Sequence, residues 1–305
     1  MTDTSTGMPN PNPQPGTERR PPATSVGVLG WLRANLFNGW FNSILTVLAL
    51  YLLWQVVPPL FNWLFFDAIW ASVPAEVCRE NREGACWAFI RERHRLILFG
   101  TYPFDQQWRP LVGVLMLLAV IGFSCFRRFW RPWLGLVWLG ALLIYLTLLG
   151  GGVFGLTPVR SDLWGGLPLT LLLAVVGIVV AFPLSLLLAL GRRAENMPIV
   201  KAICVGYIEL IRGVPLISLL FMASFMLPLF MPTGVSIDAL VRAQVAIIVF
   251  VSSYLSEVIR GGLQALPRGQ YEAAQAMGLT YWQMQRKIIL PQAIKISIPP
   301  IVNTY

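Results

Sequence analysis

Of the 305 residues, 56% are hydrophobic and 12% charged, and the mean hydropathy is +0.66. Soluble domains carry about 25% charged residues, so a soluble globule is excluded and an all-helical, multi-span membrane protein is expected. The formal net charge of +9 would suit nucleic acid, but the cations gather at the ends of apolar runs, where a membrane protein keeps them. Lipid, not nucleic acid, is therefore the expected surrounding.

Residues 1–40 open with a Pro-, Thr- and Asn-rich tail that carries too little apolar surface to form a core. Arg19, Arg20 and Arg33 favour a cytoplasmic N-terminus. Residues 41–66 form the first apolar run, and Pro58-Pro59 should kink its far end. Residues 67–109 are a polar loop with six Arg against six Asp and Glu, a balance that leaves it free to cross. Further runs occupy 110–126, 132–153, 163–190, 214–231 and 239–259. Arg127, Arg128 and Arg131 follow the second run, and Arg192, Arg193 and Lys201 follow the fourth. Arg260, Arg268, Arg286, Lys287 and Lys295 follow the sixth. When seven segments alternate, every basic cluster falls on one side, with the N-terminus inside. The seventh segment, 294–305, covers only roughly 18 Å at 1.5 Å per residue, against a hydrocarbon core of about 30 Å. Twelve Trp suit anchoring at the lipid headgroups.

Residues 261–291 form a polar, basic stretch between two apolar segments. Pro267 and Gly269 should break the preceding helix. A short helix over 270–277 would place Glu272 near its N-terminus, with Ala273, Ala274 and Ala276 keeping it slim. Gly278 suits the left-handed turn that ends it. Thr280 and Gln283 have the spacing of a capping box for a second helix, which should stop before Pro291.

The spacing Glu272-Ala273-Ala274, three residues, Gly278, nine residues, Ile288, one residue, Leu290-Pro291 matches the EAA signature of ABC-importer membrane subunits. Tyr254, Glu257, Arg260, Gly261, Gly262, Pro267 and Gly269 resemble its amino-acid branch, the HisM/HisQ-like permeases. So do Tyr207, Glu209, Arg212, Gly213 and Pro215, as YxExxRGxP. The loop CRENREGACWAFIRERHRLILFGTYPFDQQWRP is similar to the long first periplasmic loop of general L-amino-acid permeases of the Aap/Bzt type, M subunit. The resemblance implies a type I importer core over 163–305 preceded by three extra spans within 41–162. It also implies that the core continues beyond residue 305, so the chain is expected to be truncated. It implies a bacterial inner-membrane importer of L-amino acids, broad in specificity or, alternatively, restricted to polar amino acids. The implied partners are a homologous permease subunit, two copies of a cytoplasmic ABC ATPase and a periplasmic amino-acid-binding protein. The EAA loop docks on the ATPase in that family, with Glu272, Ala273, Ala274, Gly278, Ile288, Leu290 and Pro291 as its marks.

Other residues are read locally. Glu209–Arg212 and Glu257–Arg260 are each three apart and can pair on one helix face. Ser252, Ser253 and Ser256 can bond back to their own helix. Cys78 and Cys86 can close a disulfide in an oxidising compartment or remain as two thiols. Four scattered Cys and one His make no metal site. No GxxxxGK[ST] is present, and none of the three Lys follows a Gly, so ATP and its Mg²⁺ belong on a separate subunit. A secondary transporter would carry ionisable residues in mid-span and a membrane enzyme a reactive constellation there; the runs contain neither.

Overall fold

The computed structural model describes residues 27–80, 83–194 and 196–304. The N-terminal tail, with Arg19 and Arg20, lies outside them. Among the described residues the regular secondary structure is helical, apart from one isolated bridge between Ile69 and Cys86. It divides into two compact units, Met1–Glu92 and Arg93–Tyr305.

In the first unit, α1 covers Gly27–Asn35, within the 1–40 stretch read as a disordered or amphipathic N-terminal segment. Helix α2, Trp40–Phe61, runs through Pro58 and Pro59 and continues into a π-helical turn, Asn62–Phe66. The polar loop is more ordered than its composition suggests. It holds α3, Ala75–Glu80, and the start of α4, Trp87–Phe99. Cys78 and Cys86 are joined, with Cα atoms 5.8 Å apart and so within ordinary disulfide reach. The Trp70 and Trp87 rings stack at 5.6 Å, and the Trp87 indole donates to the Leu64 carbonyl at 2.7 Å. A Cβ on Gly84 would sit 1.7 Å from the Asp67 carbonyl oxygen, so only glycine fits this fold-back. The expected result of thiol blocking before reduction is that exactly this pair escapes label and takes it up afterwards; labelling of Cys78 and Cys86 before reduction would dismiss the bond.

The second unit is a helical bundle. Helices α5, Trp108–Ser124, and α6, Leu134–Gly150, pack around the fully buried Tyr145, whose hydroxyl donates to the Pro168 carbonyl at 2.8 Å. Arg109 is buried and ties the start of α5 to Thr157 through two hydrogen bonds of 2.8 and 3.0 Å. The long pair α7, Gly166–Arg192, and α10, Ala239–Gln264, forms the axis of the unit. Asp238 caps α10 and also accepts from Ser161; that hydrogen bond holds its carboxyl below the usual range. Between them, α8, Pro198–Gly213, and the segment from α9, Leu216–Phe221, to Phe230 meet at a bend of 101°. Gly213 and Pro215 flank the break, and Pro215 is extended with ψ 143°, which ends α8 and starts α9.

Among the described residues four helices are long and apolar enough to cross a membrane, or five if the bent pair is one span. Six full runs and a seventh segment too short to cross are expected from the sequence. Helix α6 has 17 residues and stops at Gly151, whose φ is +65°; the last helix, α13, Leu290–Thr304, has 15.

Helix α13 lies close against α10. A Cβ on Gly262 would fall 2.0 Å from Ser297 Oγ and 2.6 Å from the Ala293 carbonyl oxygen. The carbonyl cannot rotate away, so Gly262→Ala should separate the two helices and cost about 1–3 kcal/mol, as overpacked cores do. A thermal unfolding scan checks this, with Gly261→Ala as control, because nothing lies within 4 Å of a Cβ there.

Candidate functional site

The polar stretch after α10 is a helix–turn–helix. Pro267 precedes α11, Arg268–Ala276, and Gly269 lies within it instead of breaking the chain. The helix begins two residues earlier than expected, so Glu272 stands in its second turn, not at its N-terminus. Gly278 takes φ +71° and its N–H donates to the Gln275 carbonyl at 2.9 Å, closing the helix. Thr280 and Gln283 form the capping box of α12, Tyr281–Met284.

The second helix does not stop at Pro291. It passes through a π-helical turn, Gln285–Ile289, straight into α13. Proline has no N–H for the ordinary helical bond and crowds the carbonyl four residues back. The wider turn just before it gives the chain a place to absorb the mismatch.

Burial divides the signature residues. Ala274 and Ile289 are buried beside Leu263, Leu266 and Met284, and Ile288 and Leu290 pack against this cluster. Ala274 must be small because it is the buried residue of α11, pressed against the cluster. Glu272, Ala273, Gly278 and Pro291 are exposed. Gly269, Glu272, Ala273 and Ala276 fall on one helix face by spacing, and Met277 and Trp282 beyond them are 68% and 65% exposed. The result is a slim, outward face with apolar side chains at its tip, held from behind. Gln292 donates to Gln270 at 3.1 Å, linking α13 to α11. Arg193 donates to the Leu263 carbonyl at 3.2 Å and the Tyr271 hydroxyl at 2.9 Å.

One turn before the loop, Glu257 is the centre of a charge node. Its side chain is 15% exposed. Arg260 donates to Oε2 at 2.6 and 2.9 Å, and Arg192 donates to Oε1 at 2.7 Å. Arg212 approaches Oε2 at 3.9 Å. The expected pairing of Glu257 with Arg260 is present, but that of Glu209 with Arg212 is not. Glu209 instead accepts from the second fork nitrogen of Arg192 at 3.0 Å. Arg212 lies 5.4 Å from the Tyr254 ring centroid. A pair within one helix contributes only about 0.2–0.5 kcal/mol, so tertiary partners readily replace it. Arg192 thereby joins α7, α8 and α10.

The remaining motif residues make contacts within the bundle. Tyr207 bonds the Val249 carbonyl and Ser252 Oγ, both at 3.0 Å. Ser252, Ser253 and Ser256 are fully buried and donate to carbonyls of their own helix. Arg192, Arg193 and Tyr271 carry contacts that no sequence periodicity shows, since their partners lie 8 to 78 residues away. Among the described residues no group of His, Cys, Asp and Glu could hold a metal ion.

Residues 181–305 match the family described as binding-protein-dependent transport system inner membrane component. The chain is 49% identical to the inner membrane amino-acid ABC transporter permease protein YhdY of Escherichia coli over 277 residues, covering 90% of this chain and 74% of that one. It is 39% identical to the glutamate/glutamine/aspartate/asparagine transport system permease protein BztC of Rhodobacter capsulatus, covering 94% and 81%. A crystal structure of an amino acid ABC transporter with histidines aligns with 30% identity and a TM-score of 0.39, over 57% of this chain and 70% of that one. At these identities and coverages the chain belongs to the binding-protein-dependent transport system inner membrane components, as an amino-acid ABC transporter permease subunit.

Proposed function

We propose that this subunit forms, with a homologous second permease subunit, the path by which L-amino acids of broad side-chain chemistry enter the cell. As a multi-pass inner-membrane component of an ABC system it is a transport subunit and not an enzyme; ATP is hydrolysed by a partner ATPase, and a binding protein delivers substrate. The chain itself binds no nucleotide in this reading, and ATP and Mg²⁺ stay on an ATPase dimer. The N-terminus lies in the cytoplasm, the first polar loop faces the oxidising side, and 163–305 is the importer core behind a three-segment extension.

The observation that carries the reading is the exposed face of α11 at the end of an ion-paired bundle. Glu272, Ala273 and the Gly278 turn project from it, while Ala274, Ile288 and Leu290 fix its back. ATP binding would draw this loop toward its counterpart, opening the path outward, and hydrolysis would reset it. The relative BztC is named for acidic amino acids and their amides, which supports a polar substrate range at least; breadth beyond that rests on the similarity of the first loop.

The test is uptake of labelled glutamate, leucine and arginine in a strain deleted for the system and complemented with the gene. Return of all three supports the broad reading. Return of glutamate alone restricts the subunit to the narrower polar-amino-acid class. No return, with the protein present in the membrane beside its partners, rejects amino-acid import.

A further inference from the structure

Beside the loop, a cleft of about 770 Å³ opens between the end of α7, the start of α8, the last turn of α10, and α11–α12. Four cations line it: Arg192, Arg193, Lys201 and Arg260. No described carboxylate does. Glu195 adjoins the lining in sequence but lies outside the described residues.

The charges are unequally compensated. Glu257 and Glu209 neutralise Arg192 and Arg260 from behind. Among the described residues Arg193 bonds neutral acceptors, the Leu263 carbonyl and the Tyr271 hydroxyl. Lys201 is exposed and makes no ion pair among the described residues. Among the described residues, two lining cations, Arg193 and Lys201, are therefore without a carboxylate partner.

Three further features bear on a negative ligand. Helix α8 has 16 residues and starts at the cleft, with no side chain capping its first turn. The helix dipole favours an anion at that end, although Pro198 at the first helical position offers no N–H. Tyr281, 48% exposed, adds a neutral phenol O–H to the lining. Gln285 is 4% exposed and lines the cleft with its side-chain oxygen unpaired. As placed, that oxygen is an acceptor and would repel an anion; only the amide turned over, with its nitrogen toward the cleft, contributes a donor.

We propose that this cleft is a binding site for a phosphate group, free or carried on a small organic molecule or a lipid headgroup, held by Arg193 and Lys201. Charge-assisted bonds from Arg and Lys are the usual phosphate contacts. Since Arg193 already touches Tyr271 of α11, a phosphate bridging it to Lys201 would splint the loop to the bundle. The site thus places an anion where it can stiffen the element that meets the partner. It stands independently of which substrate is transported.

The experiment uses the full chain in phosphatidylcholine nanodiscs, titrated with inorganic phosphate at low salt in a calorimeter. One saturable site is expected, weakened at least tenfold by Lys201→Gln and by Arg193→Gln. Lys201 is exposed, so its substitution should leave folding intact even if that of Arg193 does not. A second set of nanodiscs contains phosphatidylglycerol. Lys201-dependent retention of that lipid, displacing phosphate, would assign the phosphate to a headgroup; phosphate binding that the lipid leaves unchanged would assign it to a soluble molecule. Absence of both saturable phosphate binding and Lys201-dependent lipid retention overturns the site. So does binding that neither substitution changes.

Discussion

Gly278→Val should leave ATP hydrolysis running while uptake falls by about 5- to 30-fold, the factor that corresponds to 1–2 kcal/mol. Gly278 sits at φ +71°, and a Cβ there would meet nothing within 4 Å. A clash is therefore excluded, and the effect isolates backbone strain. A side chain in the left-handed region costs roughly 1–2 kcal/mol, most for β-branched residues. The chain would relieve that strain by swinging α12 relative to α11, and the capping box at Thr280 would move with it. Gly278→Asn is the matched control, since asparagine tolerates this conformation. ATPase and uptake rates measured together in proteoliposomes decide the matter. Equal behaviour of Val and Asn variants would mean that the turn does not set the loop geometry.

Glu257→Ala should be the most destabilising single change at the site, by about 3–5 kcal/mol, the cost of removing one partner from a buried ion pair. Its side chain is 15% exposed, and Arg192 and Arg260 are 23% and 30% exposed. Without the carboxylate, three guanidinium groups face one another with only the half-exposed Glu209 between them. Helices α7, α8 and α10 would then lose their shared tie at the loop end. Arg212→Ala should cost much less, because Arg212 stands 3.9 Å away and is 37% exposed; exposed pairs are typically worth under about 1 kcal/mol. Glu257→Asp should recover part of the loss. The readout is the thermal midpoint of the chain in nanodiscs. Equal losses from the Glu257 and Arg212 variants would remove Glu257 from the centre of the node.

Much of this was legible in the residues. The turn at Gly278, the capping box at Thr280 and Gln283, and the pair Glu257–Arg260 are all local, separated by three residues or fewer, so short-range spacing reveals them. The apolar runs announced the helices for the same reason. What was not legible depends on distant partners or on compromise. Glu209 abandons Arg212 because Arg192, 17 residues earlier, offers a fork that serves two carboxylates. Pro291 reads as a stop, yet a π turn lets the helix continue, and nothing in the spacing of Gln285 to Ile289 signals it. The bend of 101° between α8 and α9 divides what looks like one apolar run from an amphipathic helix before it. The division of α11 into a buried Ala274 and exposed Ala273 and Ala276 follows from packing against Met284 and Ile289, which sequence order alone does not supply.

The central claim is that the outward face of α11 is the surface that meets the partner ATPase. The direct measurement is disulfide trapping in the assembled transporter, with a single cysteine introduced as Ala276→Cys on the exposed face and the free Cys125 and Cys204 replaced by Ser. A scan of cysteines on the ATPase supplies the other half. Crosslinks from Ala276→Cys to the ATPase that change yield between nucleotide-free and ATP-bound states are expected. Phe154→Cys, 96% exposed beyond α6, should give none. Crosslinking from Phe154→Cys but not from Ala276→Cys would contradict the assignment of the loop.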